Sequence, residues 1–261
     1  MKQTILSSKQ SELLENLTIK YGQVVTTKQI YKQVEKIWNS PYGKKTISKL
    51  IKNGWLIRLK RGLYALSDFN NRGFLSLSPY LVANLLVEKS YVSFEAALSY
   101  YGMFDQLTEK VVSVSQRQYK TVKLGSLKYS FVNAKNKSFF GWQIKLIENN
   151  NIRIATPEKS LIDIVQFHKS KYSLDTVIEK LNRYSTELDF KKLNQYLEKM
   201  SLTTIKIFGF VFDILDINST ALHKLINPKK GTHWMFPKDK KFNSKWRLYY
   251  DSYFDKYKSI K

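Results

Sequence analysis

The segment KKTISKLIKNGWLIRLKRGLYALS, residues 44–67, decides the fold of the N-terminal part of the chain. Its first half places Ile47, Leu50 and Ile51 on one side of a short helix and fills the other positions mainly with lysine and serine. Its second half alternates apolar and basic residues, with Arg61–Gly62 before a second apolar run, and this pattern predicts a β-hairpin with a tight turn. A basic helix therefore leads directly into a hairpin.

Two more helices are predicted before this segment. Residues 8–21 and 26–38 repeat apolar side chains every three or four positions, as amphipathic helices do. Gly22 ends the first of them, and Thr26 or Thr27 caps the second. Three helices followed by a hairpin is the order of a winged helix-turn-helix domain.

The charge of this region points to duplex DNA. Residues 1–70 hold 13 Lys and Arg against 4 Asp and Glu, a net charge of +9, and the cations concentrate in the third helix and the hairpin. In a winged helix the third helix enters the major groove while the hairpin contacts the flanking backbone. Two alternatives remain: the cationic side of the helix is only solvated, or the domain docks a protein.

The expected contacts fall on three elements. The start of the third helix and the residue leading into it supply Tyr42, Lys44, Lys45, Thr46, Ser48 and Lys49. The hairpin supplies Arg58, Lys60 and Arg61, which should hold phosphate or reach the minor groove. The start of the second helix supplies Thr26, Thr27 and Lys28, whose backbone N–H groups and helix dipole favour a phosphate. Lysine contributes affinity more than base discrimination, so DNA shape should add to specificity.

The rest of the chain predicts a second, larger domain. Residues 68–80 are rich in Asn, Ser, Gly and Pro, and we place the joint near residue 70, giving domains 1–70 and 71–261. Two helices, alternating strands over residues 110–155 and further helices from residue 156 follow. The expected class is α+β: an N-terminal winged helix-turn-helix, then a mixed α/β domain with an antiparallel sheet and C-terminal helices, ending in a basic aromatic tail.

Composition excludes several kinds of chemistry. The 261 residues carry a formal charge of +23, which attracts polyanions, although a Lys-rich proteome would give the same bias. The chain has no cysteine and only three histidines, without the spacing of metal ligands, so we expect no metal and no cofactor. The N-terminus lacks an apolar signal region and no long apolar run occurs, so we expect a cytoplasmic protein without a membrane partner.

Four stretches carry a family resemblance: GQVVTTKQIY at residues 22–31, the deciding segment above, YVSFEAALSYYGM at residues 91–103 and IRIATPEKSLIDIV at residues 152–165. In this order, over roughly residues 8–215, the chain resembles the AbiEi antitoxins, the antitoxin and repressor halves of type IV toxin–antitoxin (abortive infection) systems. The resemblance implies that the first domain binds inverted repeats in its own promoter and represses it. It also implies that the second domain counteracts a nucleotidyltransferase-like toxin, AbiEii, without a stable complex.

Two other interpretations concern the second domain. Ser93, Glu95, Glu158, Lys159 and Asp163 suggest a nucleic-acid-processing enzyme, but Ser93 and Glu158 also suit helix starts, so we expect no catalytic residue. The aromatic and basic residues after about position 227 suggest an RNA-binding or single-strand stacking surface. We favour the simpler interpretation, in which these aromatic side chains pack onto the second domain.

Overall fold

A computed structural model describes residues 6–38, 43–106, 109–226 and 231–259. The chain divides into two compact units, residues 1–88 with 122–128 and residues 89–121 with 129–261. The described residues up to position 88 form four helices and three strands: α1 (Ser8–Tyr21), β1 (Val24–Thr26), α2 (Thr27–Trp38), α3 (Gly43–Lys52), β2 (Leu56–Lys60), β3 (Leu63–Leu66) and α4 (Pro79–Leu86). The division falls at residue 88, beyond the expected joint near residue 70, because α4 packs against β2.

The first unit is a winged helix. Its sheet has the order β1-β3-β2, both pairs antiparallel, with Val25 opposite Tyr64 and Ile57 opposite Ala65. Helices α1, α2 and α3 and the sheet enclose one apolar core: Leu13, Leu17, Val25, Ile30, Val34, Ile47, Leu50, Trp55, Leu56, Tyr64 and Leu66. The strand β1 is an addition to the expected order, because three residues are too few to show a periodic pattern.

The second unit is built on a mixed sheet covered by helices. Its strands and first helix are β4 (Ser90–Val92), α5 (Phe94–Tyr100), β5 (Lys110–Ser115), β7 (Leu127–Asn133), β8 (Trp142–Ile147) and β9 (Asn150–Ala155). The short strand β6 (Val122–Leu124), which pairs with β7, lies in the segment 122–128 that is grouped with the first unit. The strand order is β6-β7-β5-β4-β9-β8, and β4 runs parallel to β9. The turn between β8 and β9 is Glu148–Asn149, which have φ of 48° and 59°, and Asn150 and Asn151 belong to β9.

Helices complete the second unit as the sequence predicts. They are α6 (Pro157–Phe167), α7 (Lys171–Arg183), α8 (Phe190–Leu197), α9 (Leu202–Ile214) and α10 (Thr220–Ile226). The first of them begins as expected, with Pro157 in the first turn and the Thr156 hydroxyl accepting the Lys159 backbone N–H. The expected α+β class, a winged helix followed by a larger mixed domain, is confirmed.

The C-terminal residues 231–259 form a small folded layer. Strands β10 (His233–Trp234), β11 (Lys241–Asn243) and β12 (Leu248–Tyr250) make a sheet of order β10-β12-β11, followed by a 3₁₀ helix, Ser252–Ser259. Trp246 is fully buried against Gly209 of α9, where an added Cβ would overlap the indole ring, and its Nε1 donates to Asp213 at 2.6 Å. Gly209 is thus tolerated inside a helix because the indole takes the place of a side chain.

Within the described ranges, no helix combines the length and the hydropathy that a membrane span needs.

Candidate nucleic-acid interface

Helix α3 has two chemically different sides. Ile47 and Leu50 point into the apolar core of the first unit. The opposite side is exposed and polar, and it carries Lys44, Lys45, Ser48, Lys49 and Lys52. Together with the exposed Arg58 and Arg61 of the hairpin, these residues are called the basic face below. The amphipathic pattern of the sequence therefore turns the cations outward because it turns the aliphatic residues inward.

The expected DNA contacts on α3 are corrected at two positions, Thr46 and Lys52. Thr46 is buried, at 9% exposure, beside Ile47 on the inward side of α3, and it is not part of the basic face. Tyr42 lies outside the described residues. Lys52 joins the basic face although it is absent from the expected contacts; it follows Lys45 and Lys49 at i, i+4, i+7 spacing, and that spacing was the available signal.

A close approach sets where α3 begins. Gly43, its first residue, lies directly on the ring of Tyr31 in α2, and an added Cβ there would overlap ring carbons. At its other end, the Trp55 backbone N–H donates to Leu50 O at 2.9 Å, and Gly54 takes a φ of 78° that L side chains rarely adopt. Both ends of the basic helix are therefore fixed to the core.

The hairpin is the wing that the sequence predicts. Strands β2 and β3 pair antiparallel, and Gly62 in the turn has a φ of 81°. Arg58 and Arg61 are exposed, whereas Lys60 is half-buried and its Nζ donates to Leu86 O at the end of α4, at 3.3 Å. Of the three expected wing cations, two are thus presented outward and one is tied to the neighbouring helix.

The start of α2 is closed by internal hydrogen bonds. The Thr26 backbone N–H donates to Gln29 Oε1 at 2.7 Å, and the Thr26 hydroxyl accepts the Gln29 backbone N–H at 3.3 Å. The Thr27 backbone N–H donates to Gly62 O of the wing at 2.9 Å. The Thr26 and Thr27 amides are therefore already used, and only the exposed side chain of Lys28 faces outward at this helix start.

Charge is segregated over these elements. Residues 43–66 contain seven Lys or Arg and no Asp or Glu. Helix α3 and the wing therefore carry an uninterrupted positive potential, which attracts a polyanion and is screened by salt.

The candidate catalytic residues of the second unit lie in a different environment. Tyr91, Ser93, Lys159 and Asp163 form a buried polar cluster beneath the sheet. Lys159 and Asp163 are both 0% exposed and form an ion pair across one turn of α6. Asp163 also accepts the Ser93 hydroxyl at 2.7 Å and the Tyr91 hydroxyl at 3.1 Å. The Ser93 side chain, which was expected to cap α5, therefore donates to Asp163 and makes no cap hydrogen bond.

Burial dominates the titration of this buried polar cluster. It raises the pKa of Asp163, against the opposing effect of the Lys159 ammonium and of the Ser93 and Tyr91 hydrogen bonds. Burial likewise lowers the pKa of Lys159, and burial and the Asp163 carboxylate both raise the pKa of Tyr91. Both charged members are desolvated, so each depends on the other to remain ionised.

The other two candidate catalytic acids, Glu158 and Glu95, contact residues of other elements. Glu158 Oε2 lies 3.1 Å from Lys192 Nζ, and its Oε1 accepts the Asp189 backbone N–H at 3.2 Å, which links α6 to α8. Glu95 Oε1 lies 4.0 Å from His168 Nδ1. Across the described ranges, no three His, Asp or Glu side chains converge as metal ligands.

The chain order α1-β1-α2-α3-β2-β3, with a basic third helix and wing, defines a winged helix-turn-helix domain. Residues 12–67 match the family described as "Transcriptional regulator, AbiEi antitoxin". Over this segment the first domain matches that family, and the resemblance stated above is confirmed there.

The fold has a solved relative. It is similar to the crystal structure of the RV2827C protein from Mycobacterium tuberculosis, with a TM-score of 0.68 and 12% identity, over 94% of this chain and 92% of that chain. At this identity the likeness concerns the fold alone. A search of curated proteins gave no match to the chain.

Proposed function

We propose that this antitoxin regulator represses its own operon by binding inverted repeats in the promoter through the basic face, and that it acts in the cytoplasm. The observation that carries the proposal is the run of seven cations without an acid over residues 43–66, six of which are exposed on α3 and the wing. Only a polyanion matches such a surface over its whole extent.

The elements of the basic face have different roles in this proposal. Lys44, Lys49 and Lys52 neutralise phosphates while Ser48 and Lys45 meet base edges in the major groove. Arg58 and Arg61 hold the flanking backbone or the minor groove. Because lysine makes poorer bidentate contacts with guanine than arginine does, much of the sequence preference comes from DNA shape.

The second domain supplies the antitoxin activity against a cognate nucleotidyltransferase-like toxin, without a stable complex. The family description supports the antitoxin role. We propose no catalytic residue in this domain, since the Lys159 and Asp163 side chains are closed to solvent. Co-expression with the toxin gene tests this half: growth should be rescued by the second domain even when the basic face is reversed in charge.

The DNA-binding half is tested with the full chain. Fluorescence anisotropy compares a labelled duplex from the protein's own upstream region with a scrambled duplex of equal length, over a series of salt concentrations. We expect a clear preference for the upstream duplex, a steep salt dependence, and a loss of about 10- to 100-fold in affinity for Lys44→Glu combined with Lys49→Glu.

The matched control has the same change of charge elsewhere. Lys9→Glu combined with Lys20→Glu alters two exposed lysines of α1, outside the basic face, and should change the affinity much less. Equal loss in both double variants would mean that total charge alone drives binding, and equal affinity for the two duplexes would refute a site-specific repressor.

A further inference from the structure

The C-terminal layer has two faces with opposite character. Register pairs Trp234 and Phe242 with Tyr249, so the three rings project from the same face of the sheet. The neighbouring positions Leu248 and Tyr250 project from the other face and are buried at 0% and 2% exposure. Trp234 and Phe242 are 52% and 47% exposed. Most of the tail therefore packs onto the second unit, as expected, but these three rings do not.

The three rings form one continuous surface, called the aromatic row below. The Trp234 and Tyr249 rings are stacked with centroids 5.1 Å apart and an interplanar angle of 13°. The Phe242 ring lies on the other side of Tyr249, with centroids 5.0 Å apart. Burying two large rings would stabilise the fold, so rings left open to solvent on a paired sheet need an explanation.

Cations flank the aromatic row along the strand direction. Lys240 directly precedes β11 and Arg247 directly precedes β12, and because these strands are antiparallel the two residues stand at opposite ends of the sheet. Each lies two residues or fewer from its aromatic neighbour, or roughly 7 Å along the strand. Both are exposed, and neither forms an ion pair within the described ranges.

The composition of this face matches the two chemical parts of a single strand of nucleic acid. In residues 231–259 the exposed large apolar side chains are all aromatic: Trp234, Phe242 and Tyr253. Nucleic-acid bases stack on aromatic rings while their phosphates pair with Lys and Arg, and this face presents both the rings and the two exposed cations Lys240 and Arg247. Rings on an open sheet face that stack successive bases are a known solution for single strands.

We infer that the two exposed end rings of the aromatic row, Trp234 and Phe242, bind single-stranded nucleic acid by base stacking, with Lys240 and Arg247 holding the adjacent phosphates. A duplex does not fit this site, because its bases are already stacked on one another and offer no free face. The aromatic row shares no residue with the basic face, and single-strand binding does not depend on repression of the operon.

The test uses the full chain with Lys44→Glu and Lys49→Glu, which weakens duplex binding by the basic face. Anisotropy of labelled U12, dT12 and a 12-base-pair duplex is compared with and without Trp234→Ala plus Phe242→Ala. We expect both single strands to bind more tightly than the duplex, and the ring variants to weaken them by about tenfold or more per ring. A preference between U12 and dT12 assigns RNA or DNA as the source of the strand.

Two further variants make the result decisive. Trp234→Phe keeps a ring and should retain most of the affinity, while Tyr119→Ala removes an exposed ring elsewhere and should have no effect. Thermal unfolding confirms that each variant is folded. Single-strand affinity that is unchanged by the ring variants, or equal to that for the duplex, overturns the inference, as does concentration-dependent dimerisation that the ring variants abolish.

Discussion

Lysine serves opposite purposes in the basic face and in the buried polar cluster. On α3, Lys44 and Lys49 are exposed and belong to a run with no acid, so their charge is directed at something outside the molecule. In α6, Lys159 is fully buried and its charge is matched inside the fold by Asp163. The comparison shows that the surroundings of a lysine, and not the residue type, decide whether it binds a ligand or holds the fold.

The largest expected effect comes from breaking the buried polar cluster. Asp163→Ala leaves the Lys159 ammonium desolvated without a partner, and we expect the free energy of unfolding to fall by about 3–5 kcal/mol. Urea unfolding of the wild-type and variant proteins measures this difference in the free energy of unfolding. The same substitution at the exposed Asp105 serves as control and should change stability by less than about 0.5 kcal/mol.

The double variant sharpens this prediction. Lys159→Met combined with Asp163→Leu removes both charges, and it should be less destabilised than Asp163→Ala because no ion is left unpaired. An Asp163→Ala protein of wild-type stability that had lost a phosphodiesterase activity would show instead that the cluster is catalytic.

An intermediate effect is expected at the seat of the basic helix. Gly43→Val forces α3 away from the Tyr31 ring, and overpacking of this kind costs about 1–3 kcal/mol. Affinity for the upstream duplex should fall although no cation has been removed. Tyr31→Ala in the same chain makes room for the new side chain, and recovery of DNA affinity in the double variant would confirm the steric cause.

The smallest effect separates two cations within the wing. Lys60→Met and Arg61→Gln remove the same charge, but Lys60 donates to Leu86 O while Arg61 is exposed. We expect Lys60→Met to lower the free energy of unfolding by about 1 kcal/mol, and Arg61→Gln to leave stability unchanged while reducing the salt slope of duplex binding by about one. Anisotropy and urea unfolding on both variants decide it, and the reverse assignment would contradict the structure.

The sequence predicted those features that a repeating pattern carries. Ile47 and Leu50 at helical spacing gave the orientation of α3, and the glycine after Arg61 gave the turn of the wing. Strands β1 and β4 were not predicted, because each has only three residues and is defined by a partner strand that lies far away in the chain. Local patterns contain no information about such pairings.

Within the candidate site, exposure was predictable but hydrogen bonding was not. Lys44, Lys49 and Arg58 are where helix and strand periodicity put them. The Thr27 backbone N–H donates to Gly62 O and Lys60 Nζ donates to Leu86 O, and each of these hydrogen bonds joins residues 26 or more positions apart in the chain. The two faces of the C-terminal sheet likewise required the strand register, because basic and aromatic residues alternate there without a clear apolar period.

The strand order of the winged helix has a consequence for synthesis of the chain. In the order β1-β3-β2 the central strand is the last of the three to leave the ribosome. Val25 of β1 therefore cannot pair with Tyr64 of β3 until both β2 and β3 have been synthesised. Until Leu66 has emerged, β1 and β2 have no strand to pair with, so the sheet cannot form piecemeal as a simple hairpin series would. The hydrogen bond from the Thr27 backbone N–H to Gly62 O can therefore form only after the wing has been synthesised.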